Sequence, residues 1–353
     1  MIKWKCNKCF SPFAYISKKY STFSVELYQT KTNKQFNMKK LTALAAFCTV
    51  IIATVYFSAC NNSKSDVKAD NKEDSVKKVL ARGEYLANYG AVCLDCHSKR
   101  DITKFSMPVV PGTEGGGGIT FGKAEGIPGE VTPPNITPFG LKDWTDDEIA
   151  RAITRGINKK GDTLFPMMPY HNYSHMAKED VYAIIAYLRT LKPIDSTVPP
   201  RKLMIPASMF GPLPQNDIAQ NTKPDPSDKV KYGEYVTTMA SCGECHTPMG
   251  PQGPDFSKKF AGGFVFDLGF LKVGVGNITP DTATGIGKWT EEDFLQRFKT
   301  NSAPEKVNAN PGRENSIMPW AMYGKMTEED LKAIYAFLRT VKPINNKVEK
   351  YPK

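Results

Sequence analysis

Cys93-Leu94-Asp95-Cys96-His97 and, 149 residues on, Cys242-Gly243-Glu244-Cys245-His246 decide the reading of this chain. Each is a Cys-x-x-Cys-His pentapeptide, the pattern that attaches c-type haem. Two thiols one helical turn apart reach the two vinyl groups of one porphyrin and form thioethers. The adjacent imidazole then lies under the ring and ligates the iron. Two copies in similar surroundings imply two covalently attached haem c groups.

The surroundings of the two motifs repeat as well. Gly83-Glu84-Tyr85 and Gly233-Glu234-Tyr235 precede them. Downstream, Gly117-Gly118 and Phe121 correspond to Gly262-Gly263 and Phe266. Asn135-Ile136-Thr137-Pro138 corresponds to Asn277-Ile278-Thr279-Pro280, and Trp144-Thr145 to Trp289-Thr290. Near the ends, Tyr187-Leu188-Arg189-Thr190 corresponds to Phe337-Leu338-Arg339-Thr340, each shortly followed by Lys-Pro. Helices are expected over 82–96 and 231–245, ending at the haem cysteines. Thr145 with Glu148 and Thr327 with Asp330 have the spacing that caps a helix start. Val181, Ile184, Ile185 and Leu188 form an apolar stripe at helical spacing, as do Leu331, Ile334, Tyr335 and Leu338. No run of alternating residues argues for strands. The expected fold class is all-α: two tandem cytochrome c-like domains from an internal duplication, at 78–195 and 229–347. Prolines 199, 200, 206, 212, 214, 224 and 226 mark an extended linker over 196–228. Gly115-Gly116-Gly117-Gly118 lacks the Gly-Lys-Ser/Thr of a phosphate loop and reads as a turn near the haem edge.

The formal net charge of +11 invites a nucleic-acid partner, but the leader carries most of it. Residues 1–59 hold nine lysines and one acidic residue, Glu26. Removing them from the chain's 47 basic and 36 acidic residues leaves 38 against 35. A nucleic-acid partner is therefore not expected. Met38-Lys39-Lys40, the apolar run 41–57 and Ser58-Ala59-Cys60 form an export signal over 38–59. Its ending resembles a bacterial lipoprotein signal, with Cys60 as the lipidated residue. The alternative is an uncleaved transmembrane anchor. Residues 1–37 form an N-terminal extension upstream of the plausible start Met38, and 60–77 read as a flexible tether. The eight cysteines are then accounted for: Cys6 and Cys9 in the extension, Cys48 in the signal, Cys60 for lipid, and four for haem. No thiol remains for a disulfide, a nucleophile or a third haem.

A haem iron with histidine on one face needs a ligand on the other, and methionine there closes the site and raises its potential. Met168-Pro169-Tyr170 and Met318-Pro319-Trp320 stand 150 residues apart, each about ten residues before the last helix of its repeat, so Met168 and Met318 are the candidates. His171 and His175 follow Met168 closely and offer a bis-histidine alternative or an exposed docking surface. Their counterparts, Ala321 and Lys325, show that they lie outside the duplicated pattern. Zinc fits poorly, because structural zinc gathers its four ligands in one compact region and these cysteine pairs sit in separate repeats. Trp144 and Trp289 are core aromatics or partners of the haem.

The Gly-Gly loops, Asn277-Ile278-Thr279-Pro280 with Gly285-Ile286-Gly287 and Trp289-Thr290, Met318-Pro319 and the closing Leu-Arg-Thr helices carry a family resemblance. Over residues 78–345 the chain resembles a di-haem cytochrome c. It is most similar to the cytochrome c subunits of membrane-associated alcohol, aldehyde and sugar dehydrogenases. The resemblance implies that Cys93, Cys96, Cys242 and Cys245 bind haem covalently. His97, Met168, His246 and Met318 would be the iron ligands. Together with the export signal ending at Cys60, the expectation is a lipid-anchored carrier on the periplasmic side of a bacterial membrane, taking electrons from a donor dehydrogenase or membrane complex to an acceptor cytochrome or oxidase. No catalytic residue of its own is expected. A di-haem peroxidase with a labile distal ligand at the first haem is the alternative. The chain departs from many such subunits in having two haem motifs, not three, and in having Gly140-Leu141-Lys142-Asp143 before Trp144 of the first repeat.

Overall fold

Thr145 and Thr327 open helices for the reason their spacing predicts, and Thr290 opens one in the same way. Each hydroxyl accepts the backbone N–H three residues on, and Glu148 or Asp293 returns a carboxylate to the Thr145 or Thr290 N–H. A computed structural model describes residues 66–250 and 253–352. The extension 1–37, the signal 38–59 and Cys60 lie outside the described residues.

In the first repeat the helices are α1 (Asp66–Tyr85), α2 (Cys93–Cys96), α3 (Asp146–Arg155), α4 (Tyr170–Tyr173) and α5 (Lys178–Leu188). In the second they are α6 (Lys229–Met239), α7 (Cys242–Cys245), α8 (Glu291–Ser302), α9 (Pro304–Val307), α10 (Trp320–Tyr323) and α11 (Glu328–Leu338). The chain is mostly helical, as expected. Three short antiparallel ladders are present that the sequence did not suggest: Gly129–Glu130 with Lys202–Leu203, Met249–Gly250 with Gly253–Pro254, and Val265–Asp267 with Lys272–Gly274. Each is too short for a period-two pattern to show.

The first helix of each repeat crosses the last at a glycine. A Cβ on Gly83 would run into the Ala183 carbonyl oxygen, and one on Gly233 into that of Ala333. Only glycine lets α1 meet α5, and α6 meet α11, backbone to backbone. The expected apolar stripes face this contact: Val181, Ile184, Ile185 and Leu188 are buried, as are Leu331, Ile334 and Leu338, with Tyr335 half-buried. One hydrophobic cluster runs through both repeats and includes Leu86, Leu94, Val236, Met239 and Leu295.

Two expectations need correction. The helices do not run on into the haem cysteines. Helix α1 passes into a π turn (Leu86–Gly90) and the chain breaks at Val92, while α6 ends at Met239 before a break at Ser241. The tether read over 60–77 is helical from Asp66, where Glu73–Lys77 and Asp74–Lys78 pairs brace successive turns. Residues 196–228 have little regular structure but are held onto the first repeat. Phe210 is buried with its ring against Phe165, and Asn221 Nδ2 donates to the Ser174 and Met176 carbonyls.

Candidate functional site

Each cysteine turn is set by a residue in the left-handed region. Val92 has φ 45° and Ser241 φ 54°, a conformation that costs a non-glycine residue about 1–2 kcal/mol. That reversal lifts Cys93–Cys96 and Cys242–Cys245 off the preceding helices as separate single turns. None of the four thiols is in a disulfide. Burial pushes all four up to about 12, so they are neutral thiols rather than thiolates.

The histidines are oriented identically. His97 Nδ1–H donates to the Pro134 carbonyl at 2.7 Å, and His246 Nδ1–H to the Gly276 carbonyl at 2.7 Å. A carbonyl only accepts, so each ring carries its proton on Nδ1 and leaves Nε2 free as a ligand. Burial pushes both imidazoles down from their ordinary value, which favours the neutral form a metal needs. The Gly-Gly loops hold the same residues from behind: Gly117 N–H donates to the His97 carbonyl at 2.9 Å and Gly262 N–H to that of His246 at 2.7 Å.

The repeated Asn-Ile-Thr-Pro segment is a staple. Asn135 Oδ1 accepts the Thr137 N–H and hydroxyl, while its Nδ2 donates to the Ile194 and Ser196 carbonyls beyond α5. Asn277 does the same with Thr279 and Ile344. The methionine segments are tied back to the cysteine turns by buried phenols. Tyr173, five residues after Met168, donates to the Ala91 carbonyl at 2.7 Å, and Tyr323, five after Met318, to the Ala240 carbonyl at 2.6 Å. Met168 and Met318 are half-buried against the core. Two thiols, an imidazole with Nε2 free and a tethered thioether recur in each repeat, a donor set that fits haem c.

The halves differ near the methionines. Tyr170 is fully buried with its phenol unpartnered, whereas Trp320 in the same position donates to Ser316 Oγ at 3.0 Å. His171 and His175 are both exposed, as in the docking-surface reading. Trp144 and Trp289 are half-buried against the core.

Two features went unread in the sequence. The first is reciprocal: Tyr85 of α1 donates to Asp330 of α11 at 2.5 Å, and Tyr235 of α6 donates to Asp180 of α5 at 2.7 Å. The phenol oxygens in turn accept the Thr327 and Ala177 N–H groups. The tyrosines of the repeated Gly-Glu-Tyr and the aspartates of the closing helices thus bond across the repeats. Repetition flagged the tyrosines, but nothing local reveals a partner in the opposite half. The second is a contact of the 100–107 loop with the Met318 segment.

Residues 230–342 match the family model of cytochrome c. That segment is a cytochrome c domain, and several proteins that the chain resembles are named as cytochrome subunits of dehydrogenases. The chain is 30% identical over 304 residues to the fructose dehydrogenase cytochrome subunit of Gluconobacter japonicus, covering 82% of this chain and 58% of that protein. It is 27% identical to the gluconate 2-dehydrogenase cytochrome c subunit of Pantoea cypripedii, over 86% of this chain and 65% of that one. A diheme cytochrome c-type protein of Cereibacter sphaeroides is 26% identical over 75% of this chain and 86% of its own length. The chain thus spans about six-tenths of the dehydrogenase subunits it matches. Among the described residues no helix is long and apolar enough to cross a membrane.

Proposed function

We propose that this chain is an exported electron carrier with two haem c groups, held to the membrane by a lipid on Cys60. In this reading it takes electrons from a dehydrogenase or membrane complex on the periplasmic side and passes them to a downstream cytochrome or oxidase. The duplicated donor set supports it most: each repeat aims a Nε2-free imidazole from a Cys-x-x-Cys-His turn and tethers a methionine through a tyrosine bonded beside that turn. Cys93, Cys96, Cys242 and Cys245 would hold the groups, and His97, His246, Met168 and Met318 would be the residues that ligate the irons. Bound haem c supplies a one-electron ferric/ferrous couple. The Pro134 and Gly276 carbonyls orient the two histidines and Tyr173 and Tyr323 tether the two methionine segments, and methionine as the second ligand would close each site to substrate. Closed sites favour a carrier over a peroxidase, and the names of the dehydrogenase subunits point to the class of donor.

Pyridine haemochrome assay and intact mass of the purified protein test this reading. They should give two haem c per chain, a lipidated start at Cys60, and one haem in a Cys242→Ser/Cys245→Ser variant. One haem in the unaltered chain, or steady peroxide turnover, contradicts it.

A further inference from the structure

The loop between the first cysteine turn and its Gly-rich segment crosses to the second repeat. Ser106 Oγ–H donates to the Met318 carbonyl at 2.8 Å, and Ser106 N–H donates to Asn315 Oδ1 at 2.9 Å. Asn315 Nδ2 donates back to the Lys104 carbonyl at 3.0 Å, and its Oδ1 also accepts the Ser316 N–H at 2.7 Å. Phe105 N–H donates to the Ala309 carbonyl. Ser106 is 1% exposed and Asn315 2%, so water does not compete for these bonds. The loop is forced into place: Ser106 and Met107 both have positive φ, 66° and 48°. Arg100 braces it from within, donating to the Met107 and Ser106 carbonyls and pairing with Asp95 between the first pair of haem cysteines.

Met168 has no such support. Among the described residues its carbonyl accepts only from Tyr170 N–H, and its segment reaches the second repeat near the methionine through Asn172, which bonds Glu244 at an exposed position.

We infer that Ser106 and Asn315 are positioning residues for Met318: the first repeat clamps the second site's sixth ligand, while Met168 is held by its own repeat. The inference rests on Met318 being that ligand. Its consequence is unequal lability. An exogenous ligand enters the first site readily and the second only when the clamp yields.

Imidazole binding to the full ferric protein, followed by stopped-flow absorbance with near-infrared spectra before and after, reads this directly. Two phases are expected. Ser106→Gly removes the hydroxyl and is at ease at φ 66°. It should speed the slow phase about tenfold, the effect of losing one buried hydrogen bond, and leave the fast phase unchanged. Asn315→Ala should do at least as much. If Asn315→Ala does not fold, Ser106→Gly decides alone. A slow phase unchanged in Ser106→Gly, in a protein that shows the methionine–iron signature at the second site, overturns the clamp. Absence of that signature from the unaltered protein overturns instead the assignment of Met318.

Discussion

Asp180 shows how much one buried side chain does here. Burial pushes its carboxyl up, but the bidentate Arg82 guanidinium, at 2.8 and 2.6 Å, and the Tyr235 phenol outweigh that and hold it below the ordinary carboxylate range. Asp180→Ala strands both Arg82 and Tyr235, and breaking such a buried pair costs about 3–5 kcal/mol. The sign of the pH dependence follows from the lowered value. The unfolded chain takes up the proton first, so the stabilisation is complete above about pH 4 and is lost as pH falls through the folded value. Acid unfolding of the haem-loaded protein, followed by circular dichroism, should therefore be shallower in Asp180→Asn than in the unaltered chain. An identical acid profile contradicts this account of Asp180. The role of Asp180 was not legible in the sequence, because its partners come from α1 and from the other repeat.

At the scale of elements, the close crossing of first and last helices carries each repeat. Gly233→Ala places a methyl against the Ala333 carbonyl and Phe337. The helices must separate, at a cost of about 1–3 kcal/mol, and the thermal midpoint should fall correspondingly. An unchanged midpoint refutes the packing argument. Much at this level could be read in advance. Threonine caps, apolar stripes and the haem turns are local patterns, and the structure places them where the sequence implied. The break before each cysteine turn was hidden because Val92 and Ser241 are not residues that announce a left-handed backbone. The ladder Gly129–Glu130 with Lys202–Leu203 was hidden for another reason: two-residue strands have no period, and their pairing depends on how residues 196–228 return across the first repeat.

At the scale of the whole molecule, the two repeats are joined by equivalent contacts made in both directions. Tyr85 meets Asp330 and Tyr235 meets Asp180, around a core shared by both halves. Such contacts fix one repeat against the other, as the proposed carrier with two redox centres at a constant separation would need. The duplication was visible in the sequence, and with it the paired Cys-x-x-Cys-His turns. The mutual arrangement was not, since a pair repeated in sequence can bond within a half or between halves. The symmetry is incomplete at the two methionine segments: the Met318 carbonyl accepts from Ser106 of the first repeat, and the Met168 carbonyl has no equivalent partner among the described residues. The proposed carrier has two methionine-closed haem sites. Near-infrared magnetic circular dichroism of the ferric full-length protein tests it most directly. Two histidine–methionine signatures are predicted, each lost in turn from Met168→Ala and Met318→Ala, whereas a bis-histidine or high-spin centre in the unaltered protein would contradict the claim.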